Sequence, residues 1–334
     1  LEEVIHKILN VFKKSFLVKN QIFNTACSIG IALYPNDGQD IETLIKNADA
    51  AMYKAKELGR NTYSFYTTEI THALFEKIHL ENEIRGAIEL KEFILYYQPQ
   101  IDMRTGKIVG VEALARWNHP KKGIISPDKF IPLSELTKLI VPIGRQLLEI
   151  ACFQAKKWIE MGKCQKGWKM AINISAVQMQ NDNLFEAILN ATNTAKLDPS
   201  YLELELTETY FMKNPKESIG LMRKLKTLGV TLAIDDFGVG YSSLSYLKQF
   251  PIDRLKVDRS FIQDIPTDSD DVAITKAILA LGRSLELEVL AEGVENLVQK
   301  EFLIKEGCYL AQGYYYTKPL PPEDLEKGNL SFVW

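Results

Sequence analysis

Residues 201–236 read YLELELTETYFMKNPKESIGLMRKLKTLGVTLAIDD, and this stretch contains a full strand–helix–strand unit. YLELELTE and VTLAIDD are apolar runs of strand length, and the text between them, at 215–228, has the spacing of a helix. The alternation continues in both directions. ILYYQPQ, IVGVEALARW and KMAINIS lie upstream, RLKVD, LEVLAEG and YLAQGYYY lie downstream, and further helical segments fall at 182–195, 272–284 and 297–306. Eight candidate strands alternating with helices indicate βα units around a parallel sheet. The first two runs are joined only by DMRTGK, too short for a crossover helix, so an antiparallel hairpin is expected there. Residues 85–334 match the length of one (β/α)8 barrel, roughly 250 residues. The expected α/β fold is a TIM-like barrel with an irregular first hairpin; an open doubly wound sheet is the structural alternative.

Before residue 85 the pattern differs. In IETLIKNADAAMYKAKELG the residues Ile41, Leu44, Ile45, Ala48, Met52 and Ala55 share one helical face, with Asp40 as N-cap and Gly59 as the stop. FNTACSIGIALYP reads as a strand closed by Pro35, and NTYSFY as another. Residues 1–66 thus read as a small α+β unit, and 67–84 as a charged helical linker. The start, LEEVIHKILN, has neither Met nor a signal-peptide pattern, so the chain is read as a piece of a longer polypeptide.

The 334 residues are 46% hydrophobic and 25% charged, which argues against a disordered, collagen-like or disulfide-scaffold chain. Lys+Arg 40 against Asp+Glu 43 gives a net charge of -3. No global basic field therefore gathers a nucleic acid polymer or an anionic membrane, and a small anionic substrate needs local cations. Cys27, Cys152, Cys164 and Cys308 form no CxxC pair, so neither a zinc knuckle nor a disulfide framework is indicated, and a reducing cytoplasm is expected. No apolar run approaches the roughly 18 residues needed to span a bilayer.

Polar residues punctuate the apolar runs. Glu112 interrupts VGVEAL, Asn173 follows KMAI, Glu205 sits in LELELTE, Asp235 and Asp236 follow TLAI, Lys256 sits in RLKVD, Glu292 follows VLA and Gln312 follows YLA. In a parallel barrel the C-terminal strand ends open on one face, where these side chains would converge. Singly, each has a plain reading: Asp235 as a turn or cap, Lys256 as a surface charge, Asn173 as a backbone partner. Of Glu203 and Glu205, one is expected to point inward. Jointly, so many buried carboxylates would repel one another and suffer desolvation unless cations offset them. Oxygen ligands without His or Cys suit Mg²⁺ or Mn²⁺. Adjacent Asp235 and Asp236 are placed to serve two ions, and two metals about 3.5–4 Å apart can activate water and stabilise the leaving oxygen of a phosphodiester. Arg116 is placed to reach a phosphate near Glu112. Gly238 and Gly240 permit a tight loop facing a ligand, which Glu208 is in register to support. Lys256 is placed to hold or deprotonate the attacking water, with a pKa lowered by the metals.

EALARW, FIPLSELTKLI, AINIS, ELTE, AIDDFGVGYSSLSYLKQFPIDRLKVDRSFI, LAEGVEN and QGYYYTKPLP follow one another between about residues 84 and 321. Together they resemble the EAL domain, a family of bacterial cyclic-di-GMP phosphodiesterases. The resemblance implies hydrolysis of cyclic di-GMP to linear pGpG by a two-metal mechanism in second-messenger signalling. Carried over motif by motif, it makes Glu112, Asn173, Glu205, Asp235, Asp236 and Glu292 metal ligands and sets Lys256 to act on the water. Leu114, Arg116 and Gln312 become substrate contacts, Glu295 a water-positioning group and Glu208 the anchor of the DDFGVGYSS loop. Val239 stands where the family usually has Thr, and Ser134, Leu136 and Lys138 depart from FIPLAEETGLI; no proposed ligand is lost, but Val239 bears on the loop's hydrogen bonding. The family's pairing segment corresponds to SSLSYLKQ, which implies a homodimer. Residues 1–66 resemble the C-terminal half of a GGDEF domain, the diguanylate cyclase family, through CSIGIALYP and ADAAMYKAKELGRN. The GGDEF signature itself is absent from the sequence, so no cyclase activity is expected of this fragment.

Three function classes stand at this point: a metal-dependent phosphodiesterase, a non-catalytic cyclic-di-GMP receptor module and, on the residues alone, a barrel lyase or racemase with Mg²⁺ and a Lys base. Retention of Glu112, Asp235 and Asp236 favours the first over the second.

Overall fold

The computed structural model describes residues 2–13, 15–19, 21–23, 25–181, 183–208, 215–240 and 244–327. The chain divides into two compact units, Leu1–Glu83 and Ile84–Trp334.

The first unit contains helix α1 (Glu2–Phe12), a hairpin of β1 (Phe16–Val18) and β2 (Gln21–Phe23), and strand β3 (Ile29–Ile31). Helix α2 (Ile41–Glu57) then crosses over to β4 (Tyr63–Phe65), which pairs parallel with β3. Asp40 caps α2 by accepting from the Thr43 N–H at 2.8 Å, and Gly59 follows the helix at φ +107°, a backbone region open to glycine. The buried face of α2 differs from the expected one. Ala51 and Ala55 are fully buried, whereas Ile41 and Ile45 are 77% and 65% exposed. Close approach explains this: a Cβ added to Gly30 of β3 would lie 1.8 Å from the Ala48 carbonyl oxygen. Glycine on the strand is what lets the two backbones come so near at Ala48 and Met52. Ile5 and Leu9 of α1 close the small core over Ile29, Ile31, Tyr63 and Phe65. The long strand expected at 23–35 is confined to β3, apart from Phe23, which ends β2 of the hairpin.

Helix α3 (Thr68–Glu89) buries Ile84 and Ala87 near its end. The second unit, which includes the end of this helix from Ile84, continues with β5 (Phe93–Asp102) and β6 (Lys107–His119), an antiparallel hairpin in which Gln98 faces Glu112. A short strand β7 (Gly123–Ile125), not foreseen in the sequence, extends β6. Helices α4 (Pro127–Leu136) and α5 (Ile140–Glu160) lead to β8 (Lys169–Ile174), and α6 (Ala176–Met179) and α7 (Leu184–Ala195) to β9 (Leu202–Thr207). Asp182, at the start of the expected helix over 182–195, lies outside the described residues. The unit continues with α8 (Pro215–Lys226), β10 (Thr231–Phe237), α9 (Leu244–Leu247) and β11 (Arg254–Val257). It ends with α10 (Ser269–Ser284), β12 (Glu288–Ala291), α11 (Leu297–Lys305), β13 (Leu310–Ala311) and α12 (Pro322–Lys327).

The strands close in the order β5, β6, β8, β9, β10, β11, β12, β13 and back to β5, with β5 antiparallel to both neighbours. The structure is therefore the closed eight-stranded TIM-like barrel with an antiparallel first hairpin, and not the open sheet. Trp117, Trp158, Trp168, Tyr97, Phe93 and Phe130 are fully buried. Tyr97 and Trp158 meet edge to face at 4.9 Å, and Phe93 packs on Phe130 at 5.3 Å. These contacts seat α4 and α5 on the hairpin and fix the strand directions that aim the polar residues below.

Candidate active site

Strand β11 is buried along its whole length, and its alternate residues Arg254 and Lys256 face the barrel interior, because side chains two apart on a strand share a face. Lys256, 1% exposed, places Nζ at 2.7 Å from Glu292, 2.8 Å from Glu205, 2.9 Å from Asp235 and 3.7 Å from Glu112. The same rule corrects the reading of β9. Glu203 and Glu205 both point inward, in successive tiers: Glu203 pairs with Arg254 at 2.6 Å and Glu205 with Lys256.

One ammonium among four carboxylates leaves the upper tier short of positive charge. Burial drives the Glu205 carboxyl well above the usual range, with Glu112 adding repulsion. Burial also pushes Glu292 up to about 8. Burial alone would lower Lys256, but Asp235, Glu112, Glu205 and Glu292 outweigh it and hold the ammonium charged, well above the ordinary lysine value.

Asp235 and Asp236 are consecutive, so a regular strand would turn them to opposite faces. The β10–β11 register shows how both reach the site. Ile234 pairs with Leu255 and Phe237 with Val257, three steps on β10 against two on β11. This bulge carries Asp236 into the left-handed region, at φ +53°, which Asp tolerates better than most residues. Burial, Asp235 and Asp258 push the Asp236 carboxyl up to about 6. One oxygen of each of Asp235, Asp236 and Glu292 lies within 4.8 Å of the others.

Above this cage a cleft of about 250 Å³ opens between the strand ends, lined among others by Glu112, Leu114, Asp235, Asp236, Glu292 and Gln312. Glu295 also lines it, with its backbone N–H donated to Gln299. Asn173 donates through Nδ2 to Glu112 at 2.6 Å, which leaves its carbonyl oxygen for another partner. Glu208, 2% exposed, accepts from the Gly238 N–H at 3.1 Å, and a Cβ on Gly240 would lie 2.9 Å from its carboxylate. Val239 between them is 64% exposed. Residues 241–243 of the loop and of the expected pairing segment lie outside the described residues. Arg116 stands outside the cleft lining, on the Glu112 and Leu114 face of β6; its Nη1 donates to the Ala115 carbonyl and the guanidinium sits 5.3 Å from the Tyr96 ring. A larger hollow of about 420 Å³ lies in the first unit, lined by Tyr53, Ile70 and Leu74 among others and edged by the Lys77–Glu57 pair. It holds no comparable cluster among the described residues.

Asp258, Arg259 and Gln98 are among the lining residues that were not singled out in the sequence. Asp258 follows its strand just as Asp235 follows TLAI, and that signal was present. Gln98 is hidden inside an apolar run, and only the hairpin register sets it opposite Glu112.

The donor set fits a hard divalent cation. Glu205 Oε1 is buried without a hydrogen-bond partner among the described residues, and the convergent groups offer oxygen alone.

Residues 81–319 match the family model described as EAL domain, and residues 1–62 match the one described as diguanylate cyclase, GGDEF domain. The chain belongs to the EAL domain family. EAL phosphodiesterases depend on divalent metal. The chain is 43% identical over 319 residues to the bifunctional diguanylate cyclase/cyclic di-GMP phosphodiesterase MucR of Pseudomonas aeruginosa, covering 96% of this chain and 46% of that protein. It is 44% identical over 321 residues to the signaling protein YkoW of Bacillus subtilis, covering 96% and 40%. The chain thus spans less than half the length of these curated relatives. A solved structure described as PaMucR phosphodiesterase in complex with c-di-GMP superposes with a TM-score of 0.71 at 44% identity, covering 74% of this chain and 99% of that one. The EAL domain accounts for the barrel, its hairpin and the carboxylate-rich strand ends.

Proposed function

We propose that this EAL domain hydrolyses cyclic di-GMP to linear pGpG in bacterial second-messenger signalling. The observation that carries this reading is the ring of oxygen donors on separate barrel strands around a single charged Lys256. Such a ring is unstable without added positive charge. Glu112, Asn173, Glu205, Asp235, Asp236 and Glu292 would hold Mg²⁺ or Mn²⁺, two ions in the fullest reading. When bound, these ions supply Lewis-acid stabilisation of the phosphodiester and a more acidic water. Lys256, at the centre of the ring, acts on the attacking water, holding it or taking its proton. Glu295, at the cleft rim, orients the same water. Leu114, Gln312 and Arg116 hold the dinucleotide, and Arg116 has to leave Ala115 to reach a phosphate. Glu208 anchors the loop that carries Asp236. Pairing of two barrels through the segment beginning at residue 242 and residence in the cytoplasm belong to the same reading; no helix among the described residues is long and apolar enough to cross a membrane.

Incubation with cyclic di-GMP and Mg²⁺ or Mn²⁺, with product separation by chromatography, tests the proposal. Wild type is expected to form pGpG, and Asp235→Asn to fold normally and lose nearly all turnover. Tight ligand binding without product at any metal concentration would replace the phosphodiesterase by a receptor module.

A further inference from the structure

Gln98 lies on β5 directly opposite Glu112 of β6, inside the barrel and only 7% exposed. Its Nε2 donates to the Thr317 carbonyl at 2.9 Å. Its Oε1 accepts from Gln312 Nε2 at 2.9 Å, and that same Nε2 donates to Glu112 Oε2 at 2.5 Å. The other carboxylate oxygen of Glu112 accepts from Asn173. Glu112 is thus held from two sides by amides, one of which is itself held by Gln98.

The direction of this chain follows from its first member. A backbone carbonyl can only accept, so Thr317 requires the NH₂ of Gln98 and turns the Gln98 oxygen toward Gln312. Gln312 must then answer with its own NH₂, whose second hydrogen is left for Glu112. Reversal of either glutamine would set two oxygens face to face. The Thr317 carbonyl is itself fixed, because Leu320 exchanges two backbone hydrogen bonds with Tyr97, at 2.8 and 2.9 Å, and so ties the segment to β5. Upstream, Gly313 packs so closely on Val294 that a Cβ would lie 2.1 Å from its carbonyl oxygen. One consequence is that Gln312 Oε1 stays buried on the cleft wall without a partner among the described residues. It faces bound groups as an acceptor only.

We propose that Gln98 is a positioning residue: acting through the Gln312 amide, it holds the Glu112 carboxylate in place for metal and presents Gln312 Oε1 to a cation or an N–H or O–H donor. The proposal rests on the phosphodiesterase reading for its kinetic consequences, but its effect on metal binding is independent of turnover. Removing a partner that orients a metal ligand typically lowers metal affinity or activity by about 10- to 100-fold.

The test uses Gln98→Met, which keeps volume and loses both hydrogen bonds, with Gln312→Ala and the double variant, all in the full chain. Mn²⁺ affinity is read by calorimetry, and kcat and KM with cyclic di-GMP. Gln98→Met is expected to weaken Mn²⁺ binding and lower kcat by about 10- to 100-fold, with KM changed less than about threefold. Because Gln98 acts through Gln312, the double variant should match Gln312→Ala. Wild-type affinity in Gln98→Met, or losses that add in full in the double variant, would overturn the proposal. If Gln98→Met fails to fold, Gln98→Asn retains the amide but falls short by one methylene, and the same losses are expected. A wild type that binds Mn²⁺ but makes no pGpG would refute the phosphodiesterase reading instead, while calorimetry still decides the role of Gln98.

Discussion

Replacing Lys256 by Met removes the one ammonium that touches Glu205, Asp235 and Glu292 within 2.7–2.9 Å. The side chain is of similar volume, so the effect is one of charge. Taking one partner from a buried ion pair costs about 3–5 kcal/mol. Burial raises Glu205 and Glu292, Glu292 to about 8, even with Lys256 beside them holding both down, so Glu292 is largely protonated at neutral pH and the loss of Lys256 leaves less uncompensated charge than four full carboxylates would. That relief favours the lower figure, about 3 kcal/mol. In a unit of this size each kcal/mol shifts Tm by about 2–4 °C, so the variant stripped of metal should melt about 6–12 °C below wild type. A divalent ion supplies the charge that Met lacks, and occupancy at 100 times Kd contributes about 2.7 kcal/mol. Mg²⁺ or Mn²⁺ should therefore raise the variant's Tm by more than it raises that of wild type. Differential scanning fluorimetry in chelator and in graded metal measures both effects. With metal saturating, kcat should fall strongly and KM change little. A chelated variant melting at or above wild type would refute the argument, because it would mean that the four carboxylates do not depend on Lys256 for compensation.

Glu208→Ala removes the acceptor of the Gly238 N–H; activity and metal affinity should fall about tenfold, with a stability loss of only about 1–2 kcal/mol. Gly240→Ala should reproduce that defect in kinetic assays, because its Cβ would meet the Glu208 carboxylate. Val239→Thr changes an exposed side chain, so kcat within about twofold of wild type is expected in the same assay. Incubation of the fragment with GTP should yield no cyclic di-GMP, as the sequence lacks the GGDEF signature; chromatographic detection of that product would contradict this.

Sequence reasoning succeeded where one periodicity decided the answer. Eight apolar runs became the eight barrel strands, and the shortness of DMRTGK dictated the antiparallel hairpin. It failed where three-dimensional proximity decided. Ile41 and Ile45 match the helical period of α2 yet remain exposed, because the helix packs on β3 through Ala48 and Met52, where its backbone meets Gly30. The pair Asp235–Asp236 was legible as a pair, but the bulge that lets both carboxylates face one site was not. Gln98 was invisible for a similar reason, since its importance depends on register across β5 and β6. The error over Glu203 was avoidable: residues two apart on a strand share a face, and both were bound to point the same way.

The corrected position of Glu203 shows why chemistry sits at one end of this barrel. Strands β9 and β11 each send two charged residues inward, Glu203 and Glu205 against Arg254 and Lys256, so the tiers begin with matched charge. In the lower tier the guanidinium of Arg254 divides its donors among Glu203 at 2.6 Å, Gln100 at 3.0 Å and the rim residue Glu288 at 2.8 Å. A planar fork of five donors can serve several acceptors at once. In the upper tier the compact ammonium of Lys256 faces Glu205, Asp235, Glu292 and Glu112 together, and its three hydrogens cannot satisfy four carboxylates. The lower tier pairs its one fully buried carboxylate, Glu203, directly with Arg254, while the upper one stays deficient in cations at the end where the cleft admits them. Substituting Arg for Lys256 would not merge the two roles, because a guanidinium large enough to serve every carboxylate would fill the space that added cations need. The difference between the tiers follows from the three carboxylates, Glu112 of β6, Asp235 of β10 and Glu292 at the end of β12, that join Glu205 in the upper one.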